Sequence, residues 1–466
     1  MRVQVNTPTF KDVVYNILDY GAQPKLNHNN KEAIQKAIDE CSNNGGGTVL
    51  VPNGYYFTGP INIKSNVNFH LADNAFIQFS KSKEEYPLLW IDYEGQRRIR
   101  TVSPLTIDHA VNVAITGNGV IDGSGDLWRG VKKWKLTEKQ WAKCLSKGDN
   151  VIATKETEIW YPTKTIYDGV MAGEPDYNDP NALEKASPYY DMYRPVLLSI
   201  KNSENVYIEG ITIQNSPAWN IHPWFCKNLK LENVTVKNKF SAQNGDGLDI
   251  ESCENVEVSN CTFEVGDDGI CVKSGKNAEA RRIEGPCKNV WIHDCKVFDA
   301  HGGFVIGSEM SRGVKDILVE NCTFIGTDIG VRFKSAIGRG GVVENIHIEN
   351  IHMANIVEEG FIFTMGYVLK LLENFNEQEI GSSTDPLDIP EFKDIYIKNI
   401  ECNGAKTGIK ISGLNELPIH DIYFENVNIN CDNAINLSLC KDIYFNNVNL
   451  YAQDKEYIFE KERMNG

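Results

Sequence analysis

A nine-residue pattern of apolar and polar positions recurs along the chain. Each copy begins with Asn or Asp, places apolar residues mainly at positions two, four, seven and nine, and has a residue such as Asn, Asp or Gly at position six. This alternation is typical of strands with one buried face, and the sixth residue suits a bend because it tolerates left-handed backbone conformations. The copies begin at Asn112, Asn205, Asn228, Asn255, Asn289, Asp316, Asn345, Asp394, Asp421 and Asp442.

Another strand-like piece lies between the copies, as in GLDIES from Gly247, GICVKS from Gly269, GFVIGS from Gly303 and GVRFKS from Gly330. Each repeat therefore carries about three short strands, and stacked coils would share the continuous core that one coil cannot form alone. A β-propeller, with repeats of about 40 residues and four strands each, fits less well. We predict an all-β fold, a single-stranded right-handed parallel β-helix that forms one domain over residues 1–466.

One amphipathic helix is predicted near the N-terminus, within a cap region that covers residues 10–60. Asn29 is its expected N-cap, and the glycines that follow the helix would end it. The open end of a β-helix invites aggregation, so a capping helix has a physical role there. The apolar residues on one face of this helix are Ile34, Ala37, Ile38 and Cys41.

Two stretches, residues 127–193 and 366–392, interrupt the repeat pattern. Long insertions in a β-helix lie on its flank and often build the binding site. We expect the first insertion either to pack against the coils or to form a wall that narrows an open cleft into a pocket. Its tryptophans, four of the eight in the chain, and its most prominent tyrosines are Trp128, Trp134, Trp141, Trp160, Tyr161, Tyr189 and Tyr193.

The charge balance limits the classes of partner. Lys and Arg number 47 against 63 Asp and Glu, a net charge of −16, which excludes a general nucleic-acid binder but allows a local basic cluster for a polyanion. No run of about 18 apolar residues exists, so no membrane-spanning helix is predicted. The opening MRVQVNTPTF lacks the apolar core of a signal peptide, so we expect either a cytoplasmic protein or a periplasmic or secreted one whose signal has been removed.

The twelve cysteines follow the repeat. Cys261, Cys295 and Cys322 occupy position seven of the pattern, where other copies carry Val or Ile. Cysteine at such a position behaves as a small buried hydrophobe, and no CxxC spacing of zinc type is present. We therefore predict buried free thiols.

Acidic residues stand directly before the turn glycines of adjacent repeats. Asp246 and Asp268 each precede such a glycine and should be neighbours about 4.8 Å apart in stacked coils, while Asp267 and His301 share the column one step earlier. Side chains alternate along a strand, so the second and fourth residues after each glycine should point away from the core. That rule brings three cations to the same face as the aspartates: Lys273, Arg332 and Lys334.

This combination has a chemical interpretation. Two carboxylates suit glycoside hydrolysis, in which one is held protonated as the acid and the other activates water. Crowding three aspartates forces their pKa values apart, and Arg332 and Lys334 would hold an anionic group of the substrate. An acidic sugar polymer meets these requirements. No cofactor or metal is predicted, because no ligand cluster of calcium or zinc type accompanies the aspartates.

The chain resembles glycoside hydrolase family 28, the polygalacturonases. The family's ordered motifs NTD, DD, HG and RIK are matched, with Gly245 in place of Thr and Phe333 in place of Ile, by Asn244-Gly245-Asp246, Asp267-Asp268, His301-Gly302 and Arg332-Phe333-Lys334. The resemblance implies that Asp267 is the general acid, that Asp246 and Asp268 activate water in an inverting mechanism, and that His301 assists them. The substrate-binding residues expected from the resemblance and the columns are Arg332, Lys334, Lys273, Arg339 and Asn244.

The resemblance also implies cleavage of α-1,4-galacturonosyl linkages in pectic poly- or oligosaccharides. Stretches such as SPAWNIHP and GGFVIGSEMSRG resemble those of exo-acting bacterial members, which favours exo action. Arg281, Arg282 and Arg312 are further candidates for contacts with substrate carboxylates. The sequence gives no indication of the oligomeric state.

Four alternatives remain. A rhamnogalacturonan hydrolase of the same family would carry Glu where this chain has Asp268, which argues mildly against it. A pectate lyase would use calcium and an Arg base, and a pectin methylesterase would release methanol without shortening the chain. A non-catalytic glycan-binding β-helix would release nothing.

If Lys334 lies on an open outward face, Lys334→Met should impair substrate use while changing stability by no more than about 0.5 kcal/mol.

Overall fold

The structure is a computed structural model that describes residues 1–155, 157–367, 383, 385–453 and 455–466. Among these residues, 23 hydrogen-bonded strands form the largest sheet, and all but the last pair in parallel. They are Val14–Asn16, Gly47–Val51, Gly54–Thr58, Val67–Leu71, Ala75–Phe79, Val111–Gly117, Val120–Asp122, Glu204–Glu209, Thr212–Gln214, Lys227–Glu232, Thr235–Lys237, Glu254–Ser259, Thr262–Glu264, Cys287–His293, Lys296–Phe298, Val314–Glu320, Thr323–Ile325, Val342–Ala354, Glu391–Phe392, Ile395–Asn403, Ile419–Cys431, Cys440–Ala452 and Lys455–Met464.

A second sheet, called here the eleven-stranded sheet, collects the third strand of each coil. Its strands pair in parallel and follow the order of the chain. They are Ile61–Ile63, Leu105–Asp108, Leu198–Lys201, Ile221–Trp224, Leu248–Glu251, Ile270–Lys273, Gly302–Gly307, Ile329–Lys334, Glu359–Thr364, Thr407–Ser412 and Asn433–Ser438. Stacked parallel coils of this kind confirm the predicted right-handed parallel β-helix.

The recurring Asn residues have two structural functions. Each copy's first Asn has a left-handed backbone, with φ of 55° at Asn205 and 54° at Asn228, which turns the chain into the strand. Its side chain also bonds to the same position in the preceding coil: Asn228 Nδ2 donates to Asn205 Oδ1 at 3.0 Å, and Asn255 repeats this to Asn228 at 3.1 Å. The position therefore favours Asn, because few other residues accept that backbone and also carry both a donor and an acceptor.

The interior of the coils is apolar. Ile, Val, Leu and Phe side chains of successive coils stack into one continuous buried cluster. All twelve cysteines are free thiols, and ten are buried, as the repeat pattern predicts. The two partly exposed cysteines are Cys144 and Cys431.

Both ends of the coil stack are covered. At the N-terminal end, helix Lys31–Asn43 buries its predicted apolar face completely. The residue that precedes this helix is Asn30 rather than Asn29, so the predicted N-cap is wrong by one position. Asn29 Oδ1 still accepts a hydrogen bond from the backbone nitrogen of Lys31. The same oxygen also accepts one from the backbone nitrogen of Gly59, which ties Asn29 to the coil. At the other end, Lys455–Met464 pairs antiparallel to the last full strand.

The first insertion is more structured than the sequence indicates. It contains a small antiparallel sheet of Val131–Lys132, Val151–Ala153 and Glu158–Trp160. A further antiparallel hairpin, Leu88–Tyr93 with Gln96–Thr101, leaves the coil stack earlier in the chain. Over the whole described part of the chain, the other α-helices are Glu138–Leu145, Lys164–Ala172, Ala182–Ala186 and Asn277–Ala280, and the 3₁₀ helices are Ile17–Tyr20, Lys83–Glu85, Gly125–Leu127, Lys133–Lys135, Ser187–Met192 and Pro386–Asp388.

Of the second predicted insertion, residues 368–382 and 384 lie outside the described residues. Within the described parts of the chain, no helix has the length and apolar character needed to cross a membrane.

Candidate active site

Three carboxylates meet at the start of two adjacent strands of the eleven-stranded sheet. Asp246 precedes Leu248–Glu251, while Asp267 and Asp268 precede Ile270–Lys273. Three oxygen atoms, one from each carboxylate, all lie within 4.8 Å of one another, as the column alignment predicts. Asp246 and Asp268 are 4% and 1% exposed, whereas Asp267 is only half-buried. Asp267 is therefore the carboxylate that solvent or a ligand reaches first.

Backbone and ring donors fix the Asp267 carboxylate. Its Oδ2 accepts a hydrogen bond from the backbone nitrogen of Asn244 at 3.0 Å, and its Oδ1 accepts one from the backbone nitrogen of Asp268 at 3.1 Å. Nδ1 of His301 lies 3.3 Å from the same Oδ1. Asn244 directs its nitrogen this way because its backbone is left-handed, with φ of 52°. Its side-chain oxygen accepts from Arg194 at 2.7 Å.

The Asp268 carboxylate pairs with the predicted cations. Lys334 Nζ lies 2.7 Å from Asp268 Oδ2, and Arg332 Nη1 lies 3.8 Å from Asp268 Oδ1. Lys334 is only 6% exposed, so the expectation that it lies on an open face is wrong. It points away from the core as predicted, but the Tyr367 ring covers it, with Nζ 5.3 Å from the ring centre.

The surroundings separate the pKa values of the three carboxyls. Burial raises the pKa of Asp246 well above its ordinary value, and the negative charges of its acidic neighbours raise it further. Burial also opposes ionisation of Asp268, but the charges of Lys334 and Arg332 outweigh it and lower that pKa. At Asp267 the same effect of burial is outweighed by the adjacent His301 ring, which hydrogen-bonds to it, and by the charge of Lys334, so the pKa is lowered. A shared proton in the free site therefore prefers Asp246.

A second charge cluster lies behind the carboxylates. Lys273 Nζ lies 3.0 Å from Glu309 Oε2 and 3.7 Å from Asp249 Oδ1, and Arg339 Nη2 lies 3.8 Å from Glu309 Oε1. Lys273 and Arg339 are 4% and 8% exposed. These two predicted substrate-binding residues thus contact buried acids, and we place neither in direct contact with substrate.

Two of the three other candidate arginines, Arg281 and Arg312, donate hydrogen bonds to backbone carbonyl oxygens. Arg281 donates to the carbonyl oxygen of Arg339 at 2.8 Å and pairs with Asp388. Arg312 Nε donates to the carbonyl oxygens of Ala280 and Ile283 at 2.8 Å and 3.0 Å. Arg282 is exposed.

The hairpin Leu88–Tyr93/Gln96–Thr101 and the first insertion pack against each other beside the carboxylates. Arg100 Nη1 lies 3.2 Å from Glu174 Oε1, and the Trp90 ring meets Tyr177 edge-on at 6.0 Å. Tyr93 of the hairpin stacks 4.8 Å from Trp219, in the coil immediately before Asp246. The hairpin and the part of the insertion that packs on it thus form a wall against the coil that precedes Asp246.

Three of the four tryptophans of the insertion are buried, and the fourth is exposed. Trp128, Trp141 and Trp160 are 5%, 6% and 5% exposed, which fits the packing interpretation. Trp134 is 53% exposed and meets Phe240 edge-on at 6.2 Å, next to the carboxylates.

Three of the residues that sequence reasoning missed contact this site or its wall from outside the repeats. Lys135 approaches His301 from the insertion, Arg194 holds Asn244, and Tyr93 stacks on Trp219. None belongs to a repeat, so no column alignment could place it. The only available signal was the concentration of cations and aromatic residues outside the nine-residue pattern.

Comparison with known proteins places this geometry in a family. The family model described as "Glycosyl hydrolases family 28" matches residues 151–450, and one described as "Rhamnogalacturonase A/epimerase, pectate lyase-like" matches residues 14–72. The exo-poly-alpha-D-galacturonosidase of Dickeya chrysanthemi is 29% identical over 419 residues. That alignment covers 87% of this chain but 65% of the relative, slightly under two thirds of its length.

Solved structures agree with the family match. A hyperthermoactive exopolygalacturonase from Thermotoga maritima has a TM-score of 0.80 at 30% identity, covering 99% of this chain and 96% of that one. The family 28 exopolygalacturonase of Yersinia enterocolitica has a TM-score of 0.73 at 25% identity, covering 94% and 75%. The family match over most of the chain, the similarity to the Thermotoga protein and the clustered aspartates together mean that this chain belongs to glycoside hydrolase family 28.

Proposed function

We propose that the protein hydrolyses α-1,4-galacturonosyl linkages of pectic polymers and oligosaccharides, starting from a chain end. The observation that carries the proposal is the group of three aspartates within 4.8 Å, set beside Arg332 and Lys334. The chain has a net charge of −16, so an acidic substrate needs this local group of cations to bind. The names of the exo-acting relatives support the same substrate class.

In this proposal Asp267 is the general acid, because it is the most accessible of the three aspartates. The pKa of Asp267 is lowered in the free site, which does not suit an acid. A substrate carboxylate bound beside His301 and the site lysines would reduce their influence on Asp267 and move the shared proton toward it. The carboxylate oxygens lie within 4.8 Å of one another, so a proton would pass between them through one bridging water.

Asp246 and Asp268 would hold the attacking water. Oδ1 of each accepts no hydrogen bond from the described residues, so both atoms are available to a water molecule. Both residues are almost fully buried, so neither can attack the sugar directly, which favours inversion through water. The short spacing of the carboxylates is nearer to that of retaining enzymes, about 5–5.5 Å, so the product's anomeric form has to be measured.

The wall supports exo action. The hairpin, with the insertion packed on it, lies against the coil that precedes Asp246 through the Tyr93–Trp219 stack. A polymer that crosses the carboxylates would meet this wall, whereas a chain end could stop against it. His301 would assist Asp267, and Asn244 would position it, as the contacts above support.

Product analysis on polygalacturonate tests the proposal. We expect a single short product to accumulate from the first minutes, and the concentration of reducing ends to rise well before the viscosity falls. Proton NMR should show that the anomer formed first has the configuration opposite to that of the cleaved linkage. A ladder of oligomers with early viscosity loss would contradict exo action, and a retained anomer would contradict the water mechanism. Release of an unsaturated uronide would indicate a lyase, and release of methanol would indicate an esterase. Cleavage of rhamnogalacturonan but not of polygalacturonate would show that the substrate is a different one.

Hydrolysis should proceed without a divalent cation. The three aspartates could geometrically hold a metal ion, but Lys334 and Arg332 already supply positive charge to them. We therefore expect the same kcat/KM with excess chelator as in untreated enzyme. Activity that disappears with chelator and returns with calcium would favour a calcium-dependent reaction.

A further inference from the structure

Lys135 enters the site from outside the coil stack. It ends the 3₁₀ helix Lys133–Lys135 of the first insertion, and its Nζ contacts three atoms. The carbonyl oxygen of Gly266 lies at 2.6 Å, that of Phe240 at 3.0 Å, and Nε2 of His301 at 3.1 Å. The insertion thus touches the catalytic group directly.

The chemistry of an ammonium group determines the direction of these bonds. Lys has three N–H donors and no acceptor, so all three neighbours of Nζ must accept. Two of them are carbonyl oxygens, and the third is Nε2 of His301. A neutral imidazole whose Nε2 accepts carries its proton on Nδ1. That Nδ1 lies 3.3 Å from Asp267 Oδ1.

We propose that Lys135 is a positioning residue, which fixes the His301 tautomer so that Nδ1–H faces Asp267. The inference rests on the proposed role of Asp267 as the general acid. Without the ammonium, Nε2 could carry the proton and direct it to Asp328, whose Oδ2 lies 3.6 Å away. Nδ1 would then have no hydrogen for Asp267, and the acid would lose one of the groups that orient it.

The charged groups around the ring come from three elements. Asp267 approaches from the turn before Ile270–Lys273, Asp328 from the turn before Ile329–Lys334, and Lys135 from the insertion. Lys135 is also one of the charges that lower the pKa of Asp267, against the raising effect of burial. Its removal should therefore raise that pKa and keep the acid protonated to higher pH.

The test compares Lys135→Met with Lys135→Arg, and uses Lys139→Met, an exposed change in the same insertion, as the control. Nitrogen-15 NMR of labelled histidine reads the tautomer, with the His301 signals assigned by their loss in His301→Gln. We expect the wild type to show a protonated Nδ1 and a bare Nε2, and Lys135→Met to lose this state. We also expect kcat to fall about 10- to 100-fold with KM nearly unchanged, the alkaline limb of the pH profile to move upward, and Arg to restore most of the rate.

The tautomer is measured without substrate, so this result is independent of the proposed function. A wild-type His301 with its proton on Nε2 would overturn the inference, and that measurement does not depend on whether Lys135→Met folds. An unchanged tautomer in a folded Lys135→Met variant would also overturn it. If the tautomer changes as expected but polygalacturonate is not cleaved by the wild type, the positioning contact stands and the proposed function fails.

Discussion

Asp267→Asn is expected to lower kcat on polygalacturonate by about 10²–10⁴-fold, the usual contribution of a general acid. The amide cannot donate the proton that the leaving sugar oxygen needs. Its single oxygen can accept from the backbone nitrogen of either Asn244 or Asp268, so one of the two hydrogen bonds that hold this turn remains and the other is lost. The substitution also removes one of three crowded negative charges, which offsets that loss. We therefore expect the unfolding midpoint to stay close to that of the wild type.

A second substrate separates this role from water activation. On an aryl galacturonide, whose leaving group departs without a proton, Asp267→Asn should lose far less activity than on the polymer. Asp246→Asn is the matched comparison, because it should impair both substrates by similar factors. Equal losses for Asp267→Asn on the two substrates would show that Asp267 is not the acid. Retention of more than about a tenth of the wild-type rate on the polymer would remove it from the mechanism.

Lys334→Met is expected to impair both catalysis and folding stability. The ammonium lies 2.7 Å from Asp268 Oδ2, and both side chains are almost fully buried. Removing one partner of a buried pair typically costs about 3–5 kcal/mol, because the other charge is left unpaired. We expect a cost toward the lower end, since Arg332 remains 3.8 Å away and Asp268 can take up a proton. That proton would block its proposed role with water.

The stability difference should depend on pH in a defined direction. The pKa of Asp268 is lowered from 3.8, so its contribution to stability is present above that value and is lost as pH falls through the lowered pKa. For Lys334, burial disfavours the charge but the Asp268 carboxylate outweighs it and raises the pKa above 10.5, so its contribution is present below 10.5 and is lost at higher pH. The deficit of Lys334→Met should therefore be largest between these limits and shrink in acid.

The double variant Lys334→Met/Asp268→Asn provides the control. It removes both charges together, so most of the lost unfolding free energy should return while activity does not. Urea unfolding at pH 7 and at a pH well below 3.8 measures the first effect, and kcat/KM on trigalacturonate measures the second. A single variant as stable as the wild type at pH 7 would show that the buried pair contributes little, and near-normal kcat/KM would place the anion site elsewhere.

The sequence by itself determined the coil and what faces its core. Apolar residues alternate along each copy, and Asn recurs where the backbone must be left-handed, so strand direction and register follow from local pattern. Register in turn brought Asp246, Asp267 and Asp268 together, because residues at equal positions in stacked coils are neighbours. The buried thiols were predictable for the same reason.

The tertiary structure alone decided what covers the outward face. Lys334 and Lys273 both point away from the core, yet both are buried, because segments distant in sequence pack over them or beside them. The wall formed by the hairpin and the insertion, the contact of Lys135 with His301 and the proton preference of Asp246 depend on the same packing. A repeat specifies neighbours through its period, whereas a non-repeating segment docks through shape and charge that become defined only once the coils are assembled.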